Sequence, residues 1–289
     1  MLENMLGACS LPEVRGLLND LFDKLCGDQG KKWLEELKRF LRREPNPYIS
    51  GEEISFSESL VIQTQKLLSR KFRKKITVDP VPAWFTPENL ARAVKFNLKP
   101  IFLPGEEIGE NRRIKGWVMP DRDLYRWEKE GKIASDSHCL KHGWYLADFS
   151  RGVDYTDGSQ VFPDDPLSPI IEKLRQAQKI GKFDKAPIGS RFAIVPQSEW
   201  PLVFAEIAND LGLKQEQIRL ERAIEFNAIG NIYDSGRGKF NMWEWFADLF
   251  EDSDRLYAGH RDHGGWAYVS DIRFGDRNDD FAGRPLVSF

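Results

Sequence analysis

The first 75 residues repeat apolar side chains at spacings of three and four, the period that places them on one face of an α-helix. Ser10 can cap the first such segment and Gly27 can end it. Three helices are therefore predicted: Leu11–Leu25, Gln29–Arg43 and Ser57–Phe72. Three short amphipathic helices imply a small helical N-terminal region, residues 1–75.

From Ile76 onward, short apolar runs punctuated by proline and glycine replace this helical period. Four runs predict strands: Pro100–Pro104, Ile114–Met119, Trp144–Phe149 and Arg191–Val195. Helices are predicted to start at Thr86 and to span Asp121–Glu130, Asp165–Ile180 and Ser198–Leu211. Residues 218–226 alternate apolar and polar side chains, which favours a strand and leaves a helix open. Mixed elements without regular alternation predict an α+β domain, residues 76–289.

The C-terminal tail, Arg255 to Phe289, has an unusual composition. It contains no Lys, Glu, Gln or Met, although the whole chain is rich in Lys and Glu. Gly, Asp, Arg, His, Ser, Asn and aromatic residues remain, followed by the apolar run Pro285–Phe289. Such residues give large contact areas or adaptable hydrogen bonding at modest entropic cost, as in antibody paratopes. The same composition also fits a glycine-rich surface loop before a final strand.

Charge, cysteine content and hydropathy exclude several classes of protein. Lys and Arg number 42 against 45 Asp and Glu, a net charge of −3 that argues against nucleic-acid binding. The basic run Arg70–Lys75 is interpreted as a solvated helix end. Cys9, Cys26 and Cys139 are too scattered for a disulfide framework. No apolar run reaches the roughly 18 residues of a membrane span. No signal peptide is recognised, so a cytoplasmic location is the default expectation.

The candidate metal and catalytic groups are incomplete. His138-Cys139-x-x-His142 offers three ligand types, but a tetrahedral zinc site needs a fourth, so an ordinary loop is preferred. Asp154-Tyr155-Thr156-Asp157-Gly158 and Asp164-Asp165 offer oxygen ligands, although turns use the same residues. We therefore expect no metal and no cofactor, with calcium as the alternative left open. His260 and His263 could form a catalytic dyad, but no G-x-S-x-G elbow accompanies them.

A motif before the tail resembles a known family. Asn241-Met242-Trp243-Glu244-Trp245-Phe246-Ala247-Asp248 is similar to the Asn-Val-Trp-Glu-Trp-x-x-Asp signature of the formylglycine-generating-enzyme branch of the C-type lectin fold. Gly283-Arg284-Pro285-Leu286 lies where that branch has its closing Gly-Phe-Arg motif. The tail pattern resembles the variable proteins of diversity-generating retroelements: Tyr257-x-Gly259, Gly264-Gly265-x-Ala267-x-Val269 and Arg284-Pro285-Leu286-Val287-x-Phe289. The resemblance is strongest from Asn241 onward and does not explain the N-terminal helices.

The resemblance implies a C-type lectin-like domain of the formylglycine-generating-enzyme type at 76–289, with a variable ligand-binding tail at 255–289. In that family the variable positions derive from adenine-containing codons, typically the Asn codons AAC and AAT, randomised at their adenines. This process can give Asn, Asp, His, Tyr, Ser, Gly, Arg, Ala, Phe and Ile, but never Lys, Glu, Gln, Met or Trp. The tail composition therefore has a candidate mechanism, and Trp266 must be fixed or come from another codon.

On this hypothesis a rigid scaffold presents a tolerant surface. Ligand-contacting, variable positions are expected at His263, Tyr268, Ser270, Asp271, Arg273, Phe274, Arg277, Asp279 and Asp280, with Trp266 as a fixed contact. The expected scaffold residues are Trp243, Glu244, Trp245 and Arg284. Both indoles should fill core, and Glu244 or Arg284, if buried, must be paired because an unpaired buried charge is costly.

The resulting hypothesis is a non-enzymatic, receptor-like protein that binds an unknown protein or other macromolecule through a hypervariable face. Two alternatives stay open: a metal-dependent or oxidative enzyme on the same fold, and a scaffold whose N-terminal helices bind a partner. Formylglycine-generating enzymes use a C-terminal cysteine pair, and this chain has no cysteine after Cys139, so oxidase chemistry is not expected. The closing motif also departs from Gly-Phe-Arg-Pro, and Phe281, one position early, could supply the lost aromatic packing.

Overall fold

A computed structural model describes residues 11–42, 56–155, 161–182, 187–251, 254–265, 268–273, 275 and 277–289. The chain divides into two compact units, Met1–Ile54 and Ser55–Phe289. In the smaller unit, α1 (Leu11–Cys26) and α2 (Gly30–Arg42) contact each other. The apolar periodicity therefore placed these two helices correctly, to within a few residues.

The third helix belongs to the larger unit and not to the predicted N-terminal region. This helix, α3 (Phe56–Phe72), buries Leu68 and Phe72 in the core of that unit. Its Lys71 Nζ donates a hydrogen bond to the Asn231 carbonyl oxygen at 2.6 Å. The boundary between the units therefore lies before α3 and not near residue 76.

The larger unit is a mixed α+β structure, as predicted. Its remaining helices are α4 (Pro87–Val94), α5 (Arg122–Lys129), α6 (Ser168–Gln176), α7 (Trp200–Leu211) and α8 (Ala223–Ile232). Its strands are β1 (Leu98–Leu103), β2 (Gly143–Asp148), β3 (Ile218–Leu220), β4 (Trp243–Phe250), β5 (Asp254–Ala258), β6 (Ser270–Arg273), β7 (Phe281–Gly283) and β8 (Pro285–Ser288). Together with α1–α3, the described residues contain eight helices and two four-stranded sheets.

The C-terminal strand lies inside the first sheet, whose strand order is β1-β2-β8-β3. Neighbouring strands of this sheet are antiparallel. In β8, Leu286 pairs with Ala147 of β2 on one side and with Arg219 of β3 on the other. Leu286 and Val287 are fully buried. Because β8 bonds to strands on both sides, the end of the tail is held in the core of the unit.

The second sheet carries the motif resembling the family signature on a central strand. Its order is β6-β5-β4-β7, with β4 antiparallel to β5 and parallel to β7. Glu244 pairs with Ala282, and Trp245 pairs with Gly283. The parallel pairing places the closing motif directly beside the upstream motif, although the two are far apart in sequence.

Three strand predictions are wrong in whole or in part. Residues 114–119 turn at Gly116, whose φ is +86°, and residues 191–195 contain Ala193 at φ +56°; neither value fits an extended strand. The segment 218–226 divides at Glu221 into β3 and α8. All ten residues of α8 are buried, so its sequence lacks the apolar and polar faces that identify an amphipathic helix.

A buried arginine, Arg191, links three segments of the larger unit. Arg191 is fully buried, and its Nε donates to the Asp165 carboxylate at 2.8 Å. Its Nη1 donates to the Asp148 carboxylate at 2.5 Å and to the Gly283 carbonyl oxygen at 3.2 Å. Burial opposes ionisation of Asp148, but the charges of Arg191 and Arg284 outweigh it and hold the pKa of Asp148 below its usual range.

Gly283 allows the tail to pass close to α7. A Cβ at this position would lie 2.6 Å from Trp200 Cζ2 and 2.8 Å from Leu220 Cδ2, closer than real Cβ contacts allow. We predict that Gly283→Ala lowers the free energy of unfolding by about 2 kcal/mol, because overpacking a dense core forces neighbours to shift. Urea denaturation measures the change.

Gly275→Ala is the matched control for this variant. Among the residues that the structure describes, nothing lies within 4 Å of a Cβ built at Gly275, so the effect of this substitution should stay within about 0.5 kcal/mol. Equal effects of the two substitutions would contradict the close packing of Gly283 against Trp200.

Candidate functional site

Glu244 and Arg284 form a buried ion pair between the two motifs. Arg284 Nε donates to both oxygens of the Glu244 carboxylate, at 2.9 and 2.7 Å. Glu244 is 4% exposed and Arg284 is 3% exposed. Arg284 Nη1 also donates to the Ser150 carbonyl oxygen. The two charges that had to be paired if buried are thus paired with each other.

Only one of the two motif indoles fills the core. Trp245 is 1% exposed and packs against Phe281, with ring centroids 4.6 Å apart. Phe281 therefore supplies aromatic packing beside the closing motif, as its early position suggested. Trp243 is only half-buried, which corrects the prediction that both indoles are core residues. Trp243 lies at the start of β4, where side chains of the tail surround it.

Five rings surround the Trp243 indole and form with it the aromatic cluster. Their centroid distances from Trp243 are 4.9 Å for Tyr257, 4.7 Å for His260, 5.2 Å for His263, 5.8 Å for Tyr268 and 6.2 Å for Phe281. Phe281 is buried, His263 is exposed, and the remaining rings are half-buried. The cluster therefore has a buried base and a solvent-facing side.

A glycine-dependent turn holds the two histidines against Trp243. A 3-10 turn spans Arg261–His263, and the Gly265 N–H donates to the His260 carbonyl oxygen at 3.0 Å. Gly264 and Gly265 have φ values of +92° and +59°, and a Cβ at Gly265 would lie 2.7 Å from the Gly238 carbonyl oxygen. Glycine is required here because other residues adopt such angles at a cost and would collide with residue 238.

A half-buried carboxylate adjoins the aromatic cluster. The backbone N–H of Trp243 donates a hydrogen bond to the backbone carbonyl oxygen of Asp280 at 2.9 Å. Burial raises the pKa of Asp280, and the charge of Asp279 adds to this effect. A hydrogen bond from the backbone N–H of Asp280 acts in the opposite direction and is outweighed. Asp279 accepts a hydrogen bond from the Tyr155 hydroxyl at 3.0 Å. The cluster is therefore bordered by acidic groups on the segment that leads into β7.

Two groups of the cluster, the Tyr257 phenol and the His260 imidazole, have pKa values shifted in favour of their neutral forms. Burial raises the pKa of the Tyr257 phenol, and the charges of Asp271 and Asp280 contribute. Burial also lowers the pKa of His260 from its usual 6.5, and the neighbouring His263 acts in the same direction. Neutral imidazole is therefore the stable form of His260 above pH 6.5.

The edge strand β6 divides the predicted variable positions between two sides of the second sheet. Ser270 pairs with Tyr257, whereas Asp271 pairs with Leu256, and alternate residues of a strand face opposite sides. Ser270 therefore lies on the same side of the sheet as Tyr257. Asp271 and Arg273 lie on the side of Leu256. One flat ligand could not contact all the predicted positions in β6.

Arg277, a predicted variable and ligand-contacting position, forms an ion pair within the fold. Its guanidinium donates to the two Glu199 carboxylate oxygens at 2.6 and 2.9 Å, and to the Ala193 carbonyl oxygen. Glu199 also accepts from the backbone N–H groups of Gly181 at 2.6 Å and Val195 at 2.9 Å. Arg277 thus ties the tail to the N-terminal end of α7.

Two of the predicted positions, Trp266 and Phe274, lie outside the described residues.

The half-motif His138-Cys139-x-x-His142 does not converge on one point. His138 Nδ1 lies 2.5 Å from a Glu128 oxygen, whereas His142 Nε2 lies 2.8 Å from an Asp79 oxygen. Burial raises the pKa of the Cys139 thiol. Within the described residues, no group of three or more His, Cys, Asp or Glu side chains could hold a metal ion.

Two of the candidate calcium residues, Asp154 and Asp165, have other partners. Asp165 is ion-paired with Arg191. The Asp154 carboxylate accepts from Arg261 Nη1 at 3.2 Å, which links its loop to the tail. Residues 156–158 lie outside the described part of the chain.

The roles of Tyr257 and Tyr155, and of the basic partners Arg191 and Arg237, are not evident from the sequence. Tyr257 reaches Trp243 through strand pairing, which no local pattern reveals. Arg191 and Arg237 are fully buried, and Arg237 is paired with Glu221. Burial of Glu221 raises its pKa to about 7 despite this partner. In the sequence, the only indication of these buried ion pairs is the presence of charged residues within otherwise apolar segments.

The Glu199–Arg277 pair predicts a pH dependence of stability. Burial opposes ionisation of Glu199, but hydrogen bonds from Arg277 and two backbone N–H groups outweigh it and lower the pKa from 4.5. A carboxylate whose pKa is lower in the folded state stabilises the fold at pH values above its unfolded-state pKa. This stabilisation is lost as the pH falls through the folded-state pKa. Glu199→Gln should therefore cost about 2 kcal/mol at pH 7 and progressively less below pH 4.5.

Urea denaturation at pH 7, 5, 4 and 3 tests this dependence. Glu206→Gln is the control, because Glu206 pairs at 2.7 Å with an exposed lysine, Lys173, and such pairs contribute little. A Glu199→Gln cost that stayed constant over this pH range would contradict the assigned pKa direction.

Comparison with protein-family models, with curated proteins and with solved structures finds no match to this chain. Among the described residues, no helix has the length and apolar character needed to cross a membrane.

Proposed function

We propose that this protein is a non-enzymatic, receptor-like binding protein whose C-terminal face is diversified by a retroelement on a C-type lectin-like scaffold of the formylglycine-generating-enzyme type. One observation carries the proposal. The two motifs that suggested the family, 40 residues apart, meet in the buried pair of Glu244 and Arg284. The chain between them leaves the scaffold after β5 and returns at β7, and both of these strands pair with β4.

The burial of the tail supports this division between scaffold and face. Trp245, Gly283 and Arg284 are buried, whereas His263 is exposed and Tyr268 and Ser270 are half-buried. Substitution of exposed loop residues generally changes stability little. A diversification process confined to such positions would alter the binding surface and leave the fold intact.

The chemistry of the aromatic cluster supports a binding role. Tryptophan and tyrosine dominate the energetic centres of protein interfaces, because they bury large areas with few rotatable bonds. Trp243 stands at the centre of the cluster, and its codon cannot come from randomised Asn codons. It therefore supplies a constant contact, and Tyr268 and His263 supply changeable ones.

The proposal predicts a template repeat in the neighbouring DNA. A near copy of the sequence encoding the tail should lie close to a reverse-transcriptase gene and differ from it mainly at adenines. The differences should fall on the codons of His263, Tyr268, Ser270, Asp271 and Arg273. They should spare Gly283 and Arg284, and also Arg277, because of its ion pair with Glu199.

Sequencing the DNA that flanks the coding region is the test. Finding no repeat would reject the retroelement part of the proposal. A repeat whose differences fell equally on scaffold codons would reject the division between fixed and variable residues.

A further inference from the structure

We propose that an open groove beside Arg255 binds a small organic acid, in which a single carboxylate is carried on an apolar body. The groove has a volume of about 510 Å³, which is within the range of small-molecule sites. None of the predicted variable positions that the structure describes lines this groove. The inference therefore does not depend on the proposed function and assigns a second kind of ligand to the protein.

The apolar lining of the groove comes from three parts of the larger unit. It includes Phe204 of α7, Ile218 and Leu220 of β3, and Ala247 of β4. At its mouth, Gln215 Nε2 donates a hydrogen bond to the Pro201 carbonyl oxygen at 3.0 Å, which ties the turn before β3 to the start of α7. The groove is therefore formed by packed and bonded elements of the fold.

Arg255 brings to the groove a nitrogen that lacks a hydrogen-bond acceptor. Its Nη1 donates to the Phe246 and Ala247 carbonyl oxygens at 2.9 and 3.0 Å, and its Nη2 donates to Gln197 Oε1 at 2.8 Å. Its Nε is buried and has no acceptor within the described part of the chain. A buried donor without an acceptor is unfavourable, and a ligand that supplies the acceptor would remove this cost.

The charge of Arg255 also lacks a direct partner. No Asp or Glu side chain that the structure describes forms an ion pair with it. Burial lowers the pKa of Arg255, and the charge of Asp248 opposes this effect only in part. Asp248 is itself paired with Arg222, at 3.3 Å. A negatively charged ligand would therefore offset the burial of the Arg255 guanidinium.

Other buried arginines of the same unit are satisfied. Arg191, Arg237 and Arg284 each pair with a buried carboxylate. Arg175 donates from all three of its nitrogens to carbonyl oxygens. Of these arginines and Arg255, only Arg255 lacks both a carboxylate partner and an acceptor for Nε among the described residues. This difference identifies it as the anion-binding group of the groove.

The surroundings of Arg255 favour a single negative charge. Arg219 also lines the groove, but Glu225 accepts from both of its Nη atoms at 2.7 Å and neutralises it. Glu216 is exposed on the groove and would repel a more highly charged ligand. A carboxylate matches the Nε and Nη2 edge of a guanidinium and accepts two parallel hydrogen bonds there. It would displace the exposed Gln197 amide from Nη2 and also satisfy Nε.

The remaining polar groups of the groove favour a small molecule over a peptide. The Leu220 carbonyl oxygen accepts from Arg219 Nη1 at 2.9 Å, and the Gln215 amide is bonded to Pro201. A peptide backbone needs partners for its own N–H and C=O groups when it is bound, and these groups are already occupied. An apolar body has no such requirement.

The test titrates the full chain with 3-phenylpropanoate and with its neutral analogue 3-phenylpropanamide. The 15N NMR signals of the arginine Nε–H groups report the place of binding, and Arg255→Lys assigns the signal of Arg255. The acid should bind with a Kd on the order of 1 mM and shift this signal, because Nε gains a charge-assisted hydrogen bond. The amide should bind at least about tenfold more weakly.

An exposed neighbour of Arg255 provides a variant that leaves the core untouched. Gln197→Glu places a competing carboxylate at Nη2, so it should weaken binding of the acid about tenfold. It should also shift the Arg255 signal without ligand, which assigns this signal even if Arg255→Lys does not fold. Gln63→Glu, the same substitution at an exposed position of α3, is the control and should bind the acid as the native protein does.

Three results would overturn the inference. They are equal affinity for the acid and the amide, an Arg255 signal that does not move up to about 20 mM acid, and a Gln197→Glu variant that binds the acid as tightly as Gln63→Glu. Selective binding of the acid that shifts the Arg255 signal and is weakened by Gln197→Glu would establish the site. The DNA repeat tests the proposed function separately, so either proposal can fail without the other.

Discussion

The larger unit depends on the buried ion pair between Glu244 and Arg284. Two buried charges are tolerated only when each satisfies the other, so this pair fixes the position of β4 relative to the end of the tail. Arg284 stands between β7 of the second sheet and β8 of the first, and it therefore links both sheets. Its charge also acts on Asp148 at the end of β2. One residue of the closing motif thus belongs to a charge network that reaches the core of the unit.

This constraint explains how the tail can carry a face that is separate from the fold. The chain leaves the scaffold after β5 and returns at β7, where Gly283 passes against Trp200. Between these points, Arg277 is tied to Glu199, and the glycine turn holds His260 and His263 against Trp243. The remaining described positions contribute surface more than core. A half-buried indole, Trp243, lies where β4 meets the residues that are proposed to vary.

The sequence was informative where local physics decides the structure. Apolar periodicity placed α1, α2 and α3, and Thr86 caps α4 through a hydrogen bond from the Asn89 N–H to its hydroxyl oxygen at 3.2 Å. The helix α8 was not predicted, because it is buried on all sides and its sequence shows no polar face. The surroundings of Trp243 and Arg277 could not be predicted from the sequence, because their partners are distant in the chain and are brought close by strand register and loop closure. Electrostatics predicted that Glu244 needs a charged partner if it is buried. The geometry of its pair with Arg284 is seen only in the folded structure.

A substitution scan of residues 241–289, read out as protease resistance, tests whether a fixed scaffold carries a tolerant face. We expect most substitutions at His263, Tyr268, Ser270, Asp271 and Arg273 to leave protease resistance unchanged. Most substitutions at Glu244, Trp245, Gly283 and Arg284 should abolish it. Equal sensitivity of the two groups, or tolerance at Glu244 and Arg284, would contradict the account.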